Sequence, residues 1–486
     1  MEIIGRLVKN ASWLVLAQAI ARAVGFAYAL VLARFLGGVG FGQYSVIFTV
    51  IGFFSVIAEG GITTLIMRDV ARNKEVARGY MSIGLVLSLG LSLISYLTLM
   101  GAVALLQYPK DISQLIMLAG ISLIINNISG VFISLFNAFE RMKIPALLSI
   151  VTSLTILVTG ISLLLNGFGL KATVYAVITA SLVQLLVSGY LATKTMALPS
   201  LSFLTSKGTE HLFSEALPYG LRAFLNIIYL KIAIVILSKM THFGEVGNYS
   251  AAYKILEVLF AGIAIVNLVL FPLTSSLHLS SKEKLRFLFE KYTLYTLVLS
   301  LPGLAMLIYF SKEVLTLLYG AQFEGATSML QLLIVALAIM YANAPLSNLV
   351  LSSDMQRRVL ALSVLTAGSN VLLNLLLISR LGGEGAALAT IGSELITTIL
   401  FYRLVRWYLG KTAFLINIIK PSVSVLLAST AMVMVAPLSL ILGFIAFLLT
   451  YILLLLMLRV FSSDDRDLIS RAFRYFMVKA EPATLK

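Results

Sequence analysis

The chain has 486 residues, of which 60% are hydrophobic and 12% charged, with a formal net charge of +15 and a mean hydropathy of +1.01. A water-soluble fold of this length needs a far larger charged surface, so the composition excludes a soluble enzyme and makes lipid the main solvent. Cysteine is absent, which rules out disulfides.

Long apolar runs recur, most clearly over residues 81–107, 145–165, 292–310 and 438–458. Each suits a helix of about 20 residues crossing a hydrocarbon core, and none shows the alternation of a membrane β-strand. Helices are then the spanning structure that satisfies the backbone within lipid. In chain order, spans are predicted near 11–34, 42–66, 79–106, 112–138, 145–166, 170–193 and 215–239, then 246–277, 287–310, 326–352, 359–379, 384–408, 415–437 and 439–459. Residues 11–34 are too long for a cleavable signal peptide and lack a clear small-residue cleavage site, so they read as a retained first span. The expected fold class is an all-α integral membrane protein with about fourteen transmembrane helices.

Basic residues sort by loop parity. One side collects Arg6 and Lys9, then Arg68, Arg72, Lys74 and Arg78, then Arg141 and Lys143, then Lys194 and Lys207, then Lys282, Lys284 and Arg286, then Arg357 and Arg358, then Arg403, Arg406 and Lys411, and the C-terminal tail. The other side holds Arg34, Lys110, Lys171, Lys239, Lys312 and Arg380, about one per loop. The positive-inside rule places both termini in the cytoplasm of a multi-pass cell-membrane protein. The basic excess is thus a topology signal. The longest loop, about residues 195–214, is too short to present a nucleic-acid-binding domain, so no nucleic-acid partner is expected.

The second half echoes the first. Phe41-Gly-Gln-Tyr-Ser45 opens the second span and Val246-Gly-Asn-Tyr-Ser250 the eighth; Leu148-Ser-Ile-Val-Thr152 matches Leu362-Ser-Val-Leu-Thr366. Matches six spans apart imply parallel repeats about an axis along the membrane normal. The expected organisation is an N-terminal lobe over 1–205 (helices 1–6), a C-terminal lobe over 206–412 (helices 7–12), helices 13–14 over 413–460, and a cytoplasmic tail over 461–486. The two pseudo-symmetric six-helix lobes would surround a central cavity suited to alternating access.

Several short motifs occur in order: Ala33-Arg-Phe-Leu-Gly37, Phe41-Gly-Gln-Tyr-Ser45, Glu59-Gly-Gly61, Phe139-Glu-Arg141, the run from Gly244 to Tyr253, Leu318-Tyr-Gly-Ala-Gln-Phe323, and Asn370-Val-Leu-Leu-Asn374 leading into Gly385-Ala-Ala-Leu-Ala-Thr390. Together they resemble the polysaccharide-exporter, O-antigen flippase-like branch of the multidrug/oligosaccharidyl-lipid/polysaccharide (MOP) superfamily. The resemblance implies two six-helix lobes, an inner cavity, and movement of a polyprenyl-(pyro)phosphate-linked oligosaccharide between leaflets. Association with other glycan-assembly proteins goes with that role; no cofactor does. The chain departs from the pattern after Tyr229, where relatives often carry an acid and this sequence reads Lys231-Ile-Ala233.

A charge at mid-bilayer costs about 2.5–3.5 kcal/mol on insertion scales, so it persists where it lines a cavity, pairs or snorkels. Arg22, with Gln18 one turn below, lies near the middle of the first span; Arg222, Asn226 and Lys231 lie in the seventh; Lys254 and Glu257 lie at i, i+3 in the eighth. The functional reading makes Arg22, Arg222, Lys231, Lys254, Gln18 and Asn226 the holders of a diphosphate, Arg through its fork of donors and Lys as a point charge. Against it stand an intrahelical Lys254–Glu257 pair, outward snorkelling of Lys231, and reach of Arg222 to the inner interface. Glu59, Glu257 and Glu394 are the carboxylates well inside spans. A buried carboxylate can exchange H+ or Na+ and couple transport to a gradient; alternatively Glu59 pairs structurally with Arg22, and Glu394 makes a helix–helix contact.

A multidrug or cation antiporter of the same superfamily would want acids in the cavity, and this chain offers more cations there. A membrane glycan polymerase or ligase generally needs acids for a metal or a base; His211, His242 and His278 are scattered at no ligand spacing. A transporter, not an enzyme, is expected.

Overall fold

The computed structural model describes residues 2–195, 206–353, 355–462 and 465. Residues 196–205 of the predicted long loop and 466–486 of the predicted tail lie outside them. Among the described residues the α-helices run α1 (Glu2–Glu59), α2 (Ile62–Arg72), α3 (Ala77–Leu106), α4 (Lys110–Ala138), α5 (Lys143–Leu165), α6 (Leu170–Thr195) and α7 (Ser206–Met240). They continue with α8 (Phe243–Ser280), α9 (Lys282–Tyr309), α10 (Ser311–Tyr319), α11 (Thr327–Ser352), α12 (Gln356–Leu409), α13 (Phe414–Val435) and α14 (Leu440–Met457).

Among the described residues, 12 helices are long and apolar enough to cross a membrane, and two of these are of double length. The apolar part of α1, Leu16–Glu59, has 44 residues and that of α12, Arg358–Leu409, has 52. At a rise of about 1.5 Å per residue each spans roughly twice a 30 Å hydrocarbon core. Each is broken once by a glycine at positive φ, Gly37 at 68° and Gly382 at 54°, a conformation that glycine adopts without a Cβ penalty. Both breaks fall in gaps between predicted spans, so the two long helices supply two crossings apiece and the predicted number holds.

One boundary moves. The predicted span over 42–66 ends at Glu59, because Gly60 (φ 55°) and Gly61 (φ 82°) turn the chain before α2 begins. Hydropathy averages over such a two-residue break. The new helix is amphipathic: Ile62, Leu65, Ile66 and Val70 are buried, while Arg68 bonds Asp69, Glu215 and Tyr219, and Tyr80 donates to Asp69 at 3.0 Å.

The chain divides into two compact units. One comprises residues up to Leu259 with Ser311–Leu333 and Leu360–Ile396. In it α1 packs on α3, α4, α5 and α7. The approach of α3 relies on small residues, with Gly84, Ser88, Ser92 and Ser95 buried along one stripe. Ser95 Oγ donates to the Phe54 carbonyl of α1 at 2.6 Å. The other unit comprises Phe260–Phe310, Ile334–Val359 and the chain from Thr397. Here α13 and α14 pack on each other, and α13 on α9, around Leu297, Leu301, Ala428, Met432, Phe447 and Tyr451. Asn348 ties α11 to α8 through Asn267 Oδ1 at 3.0 Å and Thr274 at 2.8 Å, the helix-bridging use of amides in membranes. Large apolar side chains such as Leu105, Leu279 and Leu299 are more than three-quarters exposed, as lipid-facing positions require.

Candidate functional site: a lysine-lined cavity

The second stretch of α1, after Gly37, turns Phe41, Tyr44, Ser45, Phe48, Thr49 and Gly52 to one side, the i, i+3, i+4, i+7 spacing of a single helix face. The start of α8 does the same with Ser250, Tyr253, Lys254 and Glu257. Between them α7 contributes Ile227, Lys231 and Ile234, and the first stretch of α1 contributes Ala29. These four faces line a partly open cavity of ≈ 170 Å³ within the first unit.

Glycines bring the walls together. A Cβ on Gly42 would lie 1.9 Å from the Phe243 carbonyl oxygen, and one on Gly247 would lie 1.9 Å from the Gly38 carbonyl oxygen. The contact is reciprocal: each of the two repeated Gly-x-Tyr-Ser motifs seats its glycine against the backbone four residues ahead of the other. At the opposite end of the same α1 stretch, a Cβ on Gly61 would lie 2.3 Å from the Ala216 carbonyl oxygen, and one on Gly220 would lie 2.7 Å from the Gly60 carbonyl carbon. The rod from Gly38 to Glu59 is therefore clasped at one end to α8 and at the other to α7.

Inside the cavity Glu257 is shared. It forms an ion pair with Lys231 of α7 and another, at 3.0 Å, with Lys254 one turn away on α8. Two ammonium groups on one carboxylate leave a net positive charge. Lys231 also lies over the Tyr253 ring, 4.7 Å from its centroid, where the ring face attracts a cation. The intrahelical Lys254–Glu257 pair considered from the sequence is thus present, and Lys231 turns to the same carboxylate. The Ser250 hydroxyl is buried in this wall without a hydrogen-bond partner.

The other sequence candidates are distributed more widely. Gln18 and Arg22 are exposed on the first stretch of α1. Arg22 precedes Ala29 by two turns on the same stripe, about 10 Å along the axis. Arg22 makes no ion pair or hydrogen bond among the described residues; Glu59, its suggested partner, accepts from Thr63 instead. Arg222 and Asn226 are exposed on α7. Arg222 lies nine residues before Lys231, half a turn round at about 100° per residue, so it points away from the cavity-lining side. Neither Arg222 nor Asn226 joins the cavity wall. Glu394 is buried on α12 and accepts from Tyr229 Oη of α7 at 2.6 Å, the helix–helix contact considered from the sequence.

Sequence reasoning overlooked Tyr44, Ser45, Ser250 and Tyr253 as wall residues. The signal was present: both serines belong to the repeated motif, and Tyr253 is one residue before Lys254.

Comparisons with known proteins agree with this architecture. The model of the polysaccharide biosynthesis protein family matches residues 7–278. The lipopolysaccharide biosynthesis protein WzxC of Escherichia coli (strain K12) is 24% identical over 364 residues, covering 72% of this chain and 71% of that protein. Among solved structures, the lipid II flippase MurJ in an inward closed conformation superposes with a TM-score of 0.75 at 15% identity, covering 93% of this chain and 99% of that one. An inward-facing multidrug resistance MATE family transporter of the MOP superfamily gives 0.67 at 18% identity, covering 81% and 99%. With a family model matched over more than half its length and the fold of the MOP transporters, this chain belongs to the polysaccharide biosynthesis protein family as a multi-pass helical membrane protein.

Proposed function

We propose that the protein is a flippase that moves a polyprenyl-(pyro)phosphate-linked oligosaccharide across the cytoplasmic membrane for cell-surface glycan assembly. The observation that carries this reading is the Lys231–Glu257–Lys254 cluster, a net cation on the wall of a cavity between two copies of one motif. An anionic headgroup offers oxygens that the two ammonium groups can take in exchange for, or alongside, the carboxylate. A cavity for cationic drugs would carry the opposite charge. WzxC, by its name a lipopolysaccharide biosynthesis protein, supports a glycan cargo, as does MurJ, a lipid II flippase.

Alternating access follows from the arrangement of walls. The reciprocal Gly42–Phe243 and Gly247–Gly38 contacts support a pseudo-two-fold relation between lobes over 1–205 and 206–412. In this reading the clasp to α8 and the clasp to α7 open in turn, exposing the cavity to one side and then the other. Both termini are cytoplasmic, on the side where basic loop residues concentrate. Arg22 and Gln18 receive the headgroup along the α1 stripe; Arg222 and Asn226 serve the approach outside the cavity. Glu257 is the leading coupling group because it already sits between two lysines, with Glu59 and Glu394 as further candidates for H+ or Na+ exchange.

The test is leaflet-resolved transport of a polyprenyl diphosphate-linked sugar by the purified protein in vesicles, with proton or sodium gradients imposed in separate arms. Transport of the sugar-linked lipid is expected, accelerated by one of the gradients. Absence of transport, together with efflux of an organic cation in the same vesicles, would reject the assignment in favour of cation antiport.

A further inference from the structure

A second cavity, of ≈ 360 Å³, lies in the first unit where α1 ends. Its wall includes Ser55 and Glu59 of α1, Thr63 and Thr64 of α2, and Asn127 and Asn137 of α4. Asn127 is 6% exposed and its Nδ2 has no hydrogen-bond partner; the Oδ1 of Asn137 is buried and also without one. Unsatisfied amides of this kind are uncommon in membrane interiors, where each normally finds a partner. The wall thus offers an unpaired donor, an unpaired acceptor, a carboxylate and threonine hydroxyls at once.

That mixture selects among ligand classes. An inorganic anion would meet the Glu59 carboxylate. A metal cation would gain nothing from an amide NH2 group, which only donates. An apolar chain would leave both amides unpaired. A ring carrying several hydroxyl groups satisfies all of them, because each hydroxyl both donates and accepts.

Position adds a second argument. Gly52 lines the lysine cavity, and Ser55 and Glu59 continue the same side of α1 into this one. Seven residues of helix separate Gly52 from Glu59, about 10 Å. We propose that this cavity binds a sugar ring of the cargo through its hydroxyl groups while the diphosphate occupies the lysine cavity. The inference rests on the flippase reading and adds to it a site for the neutral, polyhydroxylated part of the substrate.

The experiment uses the full chain in lipid nanodiscs with two kinds of probe. Free glucose, galactose and N-acetylglucosamine are examined by saturation-transfer NMR, and binding of a polyprenyl diphosphate bearing no sugar is measured in parallel. Saturation of ring protons is expected for at least one sugar, with affinity falling about five- to tenfold in Asn127→Leu and in Asn137→Leu. Asn127→Asp, which keeps the size and removes the donor, guards against a folding defect and is expected to weaken binding similarly. Binding of the diphosphate with no sugar signal overturns this site and leaves the flippase reading intact. Sugar signals unchanged in all three variants also overturn it. Broadening of the sodium-23 resonance that disappears in Asn137→Leu would instead assign the cavity to a cation. Failure of both probes would remove the flippase reading together with this site.

Discussion

Lys231 of α7 and Glu257 of α8 form an ion pair across the wall of the cavity, although the sequence separates them by a whole turn between helices. Lys254 adds a second cation to the same carboxylate at 3.0 Å. Neutralising Glu257 therefore leaves two ammonium groups without the counter-charge they share. Glu257→Gln is expected to lower stability by about 1–2 kcal/mol, less than a fully buried pair because the groups are partly exposed. Thermal unfolding in nanodiscs measures this. The double variant Lys231→Met/Glu257→Gln should recover part of the loss, and an unfolding midpoint unaltered in the single variant would show that the cluster contributes nothing to the fold.

Arg22 carries a charge at mid-span with no partner among the described residues. Arg22→Ala should abolish transport while protein abundance in the membrane holds, because no structural contact is lost. Full transport in reconstituted vesicles would remove Arg22 from the cargo path.

Gly42 and Gly247 have no room for a side chain: each Cβ would sit 1.9 Å from a carbonyl oxygen. Gly42→Ala or Gly247→Ala must push α1 from α8, at an overpacking cost of about 1–3 kcal/mol in the clasped state. Because the chain has no native cysteine, a single pair introduced at this end can be crosslinked without background. We expect crosslinking to slow in the alanine variants and transport to fall about tenfold. Crosslinking as fast as in the unsubstituted glycine background would mean the helices part freely at this point.

Asp465 offers a pH test. Burial pushes its carboxyl up, but hydrogen bonds from Lys291, Tyr295 and Ser462 outweigh that and hold it at about 2. A carboxylate lowered in the folded state stabilises above its unfolded value, near 4, and loses that contribution as pH falls through the folded value. The contribution is about 2 kcal/mol. Asp465→Asn should therefore lower the unfolding midpoint at pH 7 and lower it much less at pH 2, where the native carboxyl is already about half protonated. Equal losses at both pH values would assign the effect to shape and not to charge.

The crossings were legible because length and apolarity are properties of single segments. Even the breaks at Gly37 and Gly382 fell where basic residues, Arg34 and Arg380, marked an end. What hydropathy could not register was brief: Gly60 and Gly61 divide one apolar stretch in two and bring Glu59 to the end of its helix. The site was half legible. Lys231, Lys254 and Glu257 stood out as costly charges, but nothing in one chain's order says that a lysine of α7 turns to a glutamate of α8. Arg222 and Lys231 share the seventh span as intramembrane cations, but the half-turn between them follows from helix geometry and was available without a structure.

The size of the lysine cavity has a consequence for the order of events. Ligand pockets usually run to several hundred cubic ångströms, and this one is compact, at ≈ 170 Å³. Glu257 already engages both ammonium groups that an anionic headgroup would have to reach. Under the flippase reading, loading would have to displace that glutamate and release would let it return, so the side chain that competes with the cargo would also reset the carrier.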